Sequence, residues 1–495
     1  MSSHTLTNQP SSILLKNGLL ATFTKKDGVT TTPSAYRVDV LIQGDKITAI
    51  DESRRLSPPD DSLIIDCTDK WIAPGFVDTH RHVWMSIVDG HEDWTLTEYV
   101  AKLTFTAALH VTAEDVYSGE LAGCLQALHG GTTTVVDHFH CANSAEHIEK
   151  AIQATAESGL RSMLCVSRQS LPSSFEPLRF DNDVQISEMQ IQTLKTLAAK
   201  DNGRLTPDGR VTLGLAYDMQ GLNPPEDKRI ISLARELNIT PITAHYVGGP
   251  HAKAYSKKAK MWKDAGLLAG DVIFSHGSDL GRKGCDEVEW ELLRESGASI
   301  AATPEDELGM GHGDPVIYEA VRRGVKVGLG IDCASITSTE MFPAMRFALQ
   351  HERGRVHKMT ADEDKAPKYN EFTAASAFRL ATLGGAEAAH VESKIGSIEV
   401  GKLADIVLYD ANSVNLANVI DPFKGIVFHA TAADVEWVIV NGEVVKKEGK
   451  LVRKEWSEVA KELKRCAGNV RERYKELDLD ARYDSVIKQF GLETV

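Results

Sequence analysis

Short apolar strands that alternate with amphipathic helical stretches limit the folds open to this chain more than anything else in it. Eight such strands are read at residues 72–80, 133–138, 161–166, 211–216, 240–245, 272–276, 298–303 and 325–332. Apolar residues at helical spacing lie between them, for example over 144–158 and 228–237. Strands that alternate with helices in this way build parallel sheets. Eight units over roughly 310 residues predict a (β/α)8 TIM-like barrel, whose usual size is about 250 residues before insertions.

The two ends of the chain are written differently. Residues 12–18 and 38–47 are strand–turn patterns, with turns expected at Asn17-Gly18 and Gly44-Asp45. Similar β writing returns at 404–409 and 435–445. The expected division is a small β-sandwich domain from residues 1–72 plus 388–450, a barrel over 73–387, and a charged C-terminal helical tail over 451–495. That tail is read as a helical pair on the surface or at a subunit contact, which is compatible with a homodimer.

Charge and composition narrow the partners. The 55 Lys and Arg against 70 Asp and Glu leave a net charge of −15, which argues against nucleic acid or an anionic membrane as the main partner. Seven scattered cysteines, an odd number, do not form a disulfide framework. Residues 1–10 lack the basic and apolar segments of a secretory signal, and no run reaches transmembrane length. A cytoplasmic protein with a small-molecule substrate is expected.

Reacting groups in such barrels stand at the C-terminal ends of the strands. The first strand runs Pro74-Gly75-Phe76-Val77-Asp78-Thr79-His80-Arg81-His82, and residues two apart on a strand project to one face. His80 and His82 therefore offer two imidazoles to one ion. Strand 5 ends in His245, strand 6 in His276 and strand 8 in Asp332. Each polar residue closes an apolar run where packing gives it no reason to be. Three imidazoles (His80, His82, His245) and the Asp332 carboxylate suit one divalent metal ion, with zinc expected and iron an alternative. Such an ion makes hydroxide available near neutral pH. His276 would then bond that water or polarise the substrate, and Asp332 could take its proton while also binding the metal.

Taken together, these motifs resemble the amidohydrolase superfamily, in particular its cytosine-deaminase-like and atrazine-chlorohydrolase-like branch. The resemblance is carried by the 74–82 segment, His245, Ser275-His276 and Gly328-Leu329-Gly330-Ile331-Asp332. It continues through 374–386 and 395–407 and covers residues 12 to 450. It implies a metal-dependent hydrolase with His80, His82, His245 and Asp332 as ligands and His276 beside the water.

The chain also departs from that branch. Deaminases of the branch carry Glu three residues after the strand-5 histidine, whereas here His245-Tyr246-Val247-Gly248-Gly249-Pro250 places Gly248 there. Lys326 lies early in strand 8, so no lysine is placed to bridge a second ion. The segment from Thr303 to Pro315 brings Glu305, Asp306, Glu307 and His312 to the expected mouth. It reads either as a solvated acidic loop or as the source of a replacement acid/base, Glu307 or Glu305, with His312 binding substrate. Trp84 and the 89–94 loop read either as pocket wall or as packing, and His138 and His140 as groups beside the ligands or in the pocket. Cys333 reads as a small buried neighbour of Asp332.

The leading reading is hydrolysis of a non-peptide carbon–nitrogen bond in a small cyclic or heteroaromatic molecule, by deamination or ring opening. The alternatives are a metal-dependent, decarboxylase-like lyase on the same scaffold, and hydrolysis of another leaving group such as halide. A non-catalytic relative would be expected to have lost ligands that this chain keeps.

Overall fold

The computed structural model describes residues 10–26, 30–88, 90–167, 172–180, 188–218, 223–249 and 257–494. Residues 1–9, Asp89 of the 89–94 loop and Pro250 after the strand-5 histidine lie outside the described residues.

Eight parallel strands form the barrel: β1 (Phe76–Arg81), β2 (Thr132–Phe139), β3 (Arg161–Val166), β4 (Val211–Ala216), β5 (Ile242–Tyr246), β6 (Val272–His276), β7 (Ser299–Ala302) and β8 (Lys326–Leu329). Each pairs with its neighbour in chain order. β8 then meets β1, where Ile331 and Asp332 donate their backbone N–H groups to the His80 carbonyl at 3.1 and 2.9 Å. Gly330 makes this approach possible, since a Cβ there would lie 2.8 Å from the His80 carbonyl oxygen.

Strand alternation divides the side chains between two cores. Val136, Cys165, Ala216, Ile273 and Ala301 share a small interior core. Their strand neighbours Val135, Leu164, Leu215, Phe274 and Ile300 join the large core under the helices. Between strands the helices take their expected places, with Ala145–Ser158 starting after Ser144 and Pro224–Glu236 opening on two prolines.

The two chain ends build one nine-stranded sheet. It curls over its own core, which includes Ile13, Val40 and Ile47 from one end and Ile406, Ile439 and Val444 from the other. Hydrogen bonds from Ile47 N to Lys402 O (2.9 Å) and from Ala404 N to Asp45 O (2.8 Å) join the far edge back to the middle. Its other face, with Phe23, Trp71 and Tyr409, packs into the large barrel core.

Two local expectations need correction. The strand read over 72–80 is two strands: Lys70–Pro74 belongs to the small sheet, and β1 starts at Phe76. Gly75 donates its N–H to Asp405 O at 3.0 Å as the chain crosses between them. Asn17-Gly18 is not a hairpin turn but an irregularity within the strand Ser12–Lys26, where the pairing register shifts between Leu15 and Gly18.

The C-terminal helices Trp456–Tyr474 and Leu479–Phe490 lie against the barrel side. The first packs on the helix Ala113–His129, where Arg473 pairs with Asp115. The second sets Arg482 over the Phe175 ring at 4.1 Å. No described helix is long and apolar enough to cross a membrane.

Candidate active site

The strand ends at the C-terminal rim bring His80, His82, His245, His276 and Asp332 into one cluster. Asp332 Oδ1 lies 3.4 Å from His80 Nε2 and 3.2 Å from His82 Nε2, and Oδ2 lies 3.6 Å from His276 Nε2. The His245 ring is centred 4.9 Å from that of His80 and 5.5 Å from that of His276.

Two of the five sit in strained backbone. His276 has φ 73° and Asp332 φ 67°, the left-handed region that non-glycine residues rarely occupy. Alternation explains the need at His276. Ile273 faces the barrel interior, and Ser275 Oγ lies 2.9 Å from His80 Nδ1, so the next residue would continue toward the helices. The reversed φ turns the chain and carries His276 to Asp332. Strain held in place by surrounding structure is characteristic of functional sites.

Burial favours neutral rings at His80 and His276, whereas at His82 burial is outweighed by the Asp332 carboxylate, which raises that ring. Burial pushes His80 down to about 3 and His276 well below the usual histidine range. Burial alone would raise Asp332, yet the facing His80 and His82 rings hold it well below the ordinary carboxylate range. His80 Nε2 is buried and has no hydrogen-bond partner. The neutral His80 ring with its open nitrogen, the neighbouring imidazoles and the Asp332 carboxylate together are the donor set of a divalent metal ion. His80, His276 and Asp332 place one ligand atom each within 4.8 Å of one another, as do His80, His138 and His245.

Behind these groups stand residues that orient them. His82 Nδ1 lies 2.7 Å from the His138 carbonyl oxygen. His276 Nδ1 lies 2.8 Å from Thr303 Oγ1 and 3.6 Å from Glu307 Oε1. Glu307 Oε1 also accepts the Thr303 N–H at 2.8 Å.

The 303–315 segment is neither wholly a loop nor wholly solvated. Pro304–Gly309 is a short helix that buries Asp306 and Glu307 completely. Burial raises Glu307 to about 8. Glu305 turns elsewhere, toward Ser338 and Arg346, and burial raises it to about 7. His312 does reach the cluster, its ring 4.7 Å from that of His276. The segment also explains Gly248. A Cβ at Gly248 would lie 2.6 Å from the His312 carbonyl oxygen, and one at Gly249 would lie 2.2 Å from that of Gly311. The space a side chain would need at 248 is filled by the His312 backbone.

His140 stacks on His82 at 4.0 Å, with the planes 16° apart. Trp84 is fully buried in the large core, and its indole N–H donates to His140 Nδ1 at 3.1 Å. Trp84 therefore reaches the site through His140 and presents no open ring face. His91 and Trp94 stack on each other at 3.9 Å. Cys333 is buried, with Sγ 3.2 Å from both Tyr99 Oη and Asp332 Oδ1, and burial raises its thiol. Lys326 stands at the opposite end of β8, near His390.

Sequence reasoning passed over Asp218. It follows β4, and its carboxylate lies 3.0 Å from both His138 Nε2 and His245 Nδ1. The criterion that found the histidines, a polar residue closing an apolar strand, applies equally to Asp218 after 211–216. Thr303 and the buried Lys258, whose Nζ donates to the His245 carbonyl oxygen, carried no comparable signal.

Comparison with known proteins finds relatives of both the sequence and the fold. The sequence profile of the Amidohydrolase family matches residues 71–445. The 5-methylthioadenosine/S-adenosylhomocysteine deaminase of Caldanaerobacter subterraneus is 27% identical, over 83% of this chain and 89% of its own. The 5'-deoxyadenosine deaminase of Methanosarcina mazei is 26% identical, over 88% and 93%. Among solved structures, an adenosine deaminase from Xanthomonas campestris with bound zinc matches with a TM-score of 0.75 and 21% identity, covering 94% of this chain and 99% of that one. A zinc complex of atrazine chlorohydrolase from Arthrobacter aurescens matches with a TM-score of 0.76 and 21% identity, covering 92% and 100%. At these identities the two structures establish the shared fold.

Proposed function

The chain belongs to the Amidohydrolase family, and we propose that within it the protein is a zinc-dependent deaminase of a small heteroaromatic amine of the adenosine type. The coarser activity is a metal-dependent hydrolase acting on a non-peptide carbon–nitrogen bond. One observation carries the finer reading: Asp332 lies within 3.6 Å of imidazole nitrogens of three histidines, in a relative of named deaminases.

In this reading His80, His82, His245 and Asp332 hold the ion. Zinc, when bound, would acidify a water and polarise the carbon under attack. Asp332 Oδ2 faces His276 Nε2, so the carboxylate can take a proton from the attacking water and share it with that imidazole. Thr303 and Glu307 act on Nδ1 of the same ring and keep it turned toward Asp332. Glu307 thus serves behind His276 and not against the substrate. Glu305 faces away from the ring and has no part in the transfer.

On the other side of the mouth, His140 is a substrate donor. Indole N–H can only donate, so His140 Nδ1 must accept, and the neutral ring carries its proton on Nε2. That fixed N–H can bond an acceptor atom of a heteroaromatic ring, and His312, whose ring lies beside that of His276, is a second substrate contact in this reading. A second reading, hydrolytic ring opening of a cyclic amide, is supported by Gly248, where no carboxyl group can stand to serve a ring nitrogen. The proposal extends to a cytoplasmic homodimer, supported by seven free thiols and by the charged helices at the C-terminus.

The test is mass spectrometry of products from the zinc-loaded protein with adenosine-type amines and cyclic amides, run beside Asp332→Asn. Exchange of an amino group for hydroxyl with release of ammonia is expected. Gain of a whole water without ammonia would replace deamination by ring opening, and turnover equal in Asp332→Asn would remove the site from the reaction.

A further inference from the structure

Two neighbouring imidazoles compete for a place in the metal site, and one carboxylate decides between them. The rings of His138 and His245 are centred 4.4 Å apart. Each can reach an ion shared with His80, since one ligand atom from each of the three lies within 4.8 Å of the others. Their nitrogens are unequally engaged. His138 has Nδ1 3.0 Å from Thr243 Oγ1 and Nε2 3.0 Å from Asp218 Oδ2. His245 has Nδ1 3.0 Å from Asp218 Oδ1. Among the described residues no hydrogen bond engages its Nε2.

An ionised carboxylate only accepts, so both rings must donate to it. His138 then carries its proton on Nε2 and accepts from the Thr243 hydroxyl at Nδ1, which uses both nitrogens. His245 carries its proton on Nδ1 and keeps a lone pair on Nε2. The same Asp218 oxygen accepts the His245 backbone N–H at 2.9 Å, while Lys258 donates to the His245 carbonyl oxygen. The residue is thus held by its ring, its N–H and its C=O.

We propose that Asp218 is a positioning residue that commits His245 to the metal through Nε2 and withdraws His138 from it. A carboxylate behind a ligating histidine sets the ring's tautomer and orientation and raises its basicity, and its loss typically costs about 10–100-fold in metal affinity. The unusual feature here is that one carboxylate does this for two rings with opposite results. The inference rests on reading His245 as a ligand, so the experiment separates the two claims.

Zinc affinity of the full-length protein would be measured by chelator competition for wild type, Asp218→Asn, His138→Gln and His245→Ala. The expected order is little change for His138→Gln, about a 10–100-fold loss for Asp218→Asn and the greatest loss for His245→Ala. Excess zinc should restore turnover in Asp218→Asn, which a purely structural lesion would not allow. Undiminished affinity in Asp218→Asn beside a defective His245→Ala overturns the role of Asp218. Zinc held equally well by His245→Ala overturns the ligand reading beneath it. Should Asp218→Asn fail to fold, histidine 15N spectra of the wild-type zinc enzyme serve instead. They are expected to show His245 protonated at Nδ1 and zinc-shifted at Nε2, and zinc-shifted His138 nitrogens would overturn the proposal.

Discussion

The two rims of the barrel both bury charge, but they do so in opposite ways. At the N-terminal rim, Arg161 opens β3 and meets Asp405 of the small sheet through Nε at 2.9 Å and Nη2 at 3.0 Å. Asp405 also accepts the Asn441 N–H at 2.8 Å, and Asn441 Oδ1 accepts from Arg161 at 3.0 Å. Each charge has an opposite charge and ordinary hydrogen bonds. At the C-terminal rim, Asp332 faces several imidazoles at 3.2–3.6 Å and His80 Nε2 has no partner. Saturated burial fastens two parts of the molecule together, whereas unsaturated burial, held by strained backbone at His276 and Asp332, leaves a donor atom open, as the proposed metal site requires.

The sharpest way to break this contrast is to neutralise one carboxylate on each rim. Asp332→Asn should lower turnover by about 10³-fold or more and release the bound metal, with little loss of thermal stability. Metal analysis and steady-state kinetics on the same preparation check it. A variant that loses folding before metal would put Asp332 in the same class as Asp405. Arg161→Met should do the reverse. It strands the Asp405 carboxylate in a buried place, which costs about 3–5 kcal/mol of stability. Denaturant unfolding should show that loss, while kcat of the folded protein stays near the wild-type value.

The same contrast governs what could be read from the sequence. The barrel was legible from its alternating strands, and the clustered histidines because each breaks an apolar run, so His80, His82, His245, His276 and Asp332 stand out without any knowledge of geometry. Asp218 obeyed the same rule and was missed because it trails β4 by two residues, after Tyr217. The burial of Glu307 was only half legible, since the acidic run reads either as a solvated loop or as a source of an acid/base. An acidic run at a loop looks solvated, and only the short helix Pro304–Gly309 shows that its second and third carboxyls turn inward. Gly248 was legible as a departure, but its cause lay in a contact with His312 more than sixty positions away. Local writing records which residues are polar where they should not be. It does not record which distant backbone fills the adjoining space.

Glu307 offers a smaller, pH-dependent test of unsaturated burial. Its carboxyl ordinarily ionises near 4.5, and burial raises it to about 8 in the folded protein. Below 4.5 both folded and unfolded chains hold the proton. Between 4.5 and about 8 only the folded chain keeps it, so stability falls as the pH rises, by up to about 1.4 kcal/mol per pH unit. Glu307→Gln keeps the shape and removes the titration. Urea midpoints compared at the two ends of that window should therefore differ less in the variant than in wild type. An unaltered pH slope would mean that the carboxyl is not kept protonated by burial.

The least disruptive probe concerns His140, whose tautomer depends on one indole. In wild type the Trp84 N–H occupies His140 Nδ1, and the ring proton stays on Nε2. Phe in place of Trp84 removes that donor while leaving an aromatic side chain in the large core. His140 is then free to carry its proton on either nitrogen, and the donor proposed for substrate is present only part of the time. The cost is that of selecting the donor tautomer, about 2-fold in KM where the two are equally populated. Because His140 stacks on His82 without touching Asp332, kcat should change less than KM. A fall confined to kcat would place His140 with the groups that act on the reacting atoms, and Trp84 one step closer to the chemistry than its buried position implies.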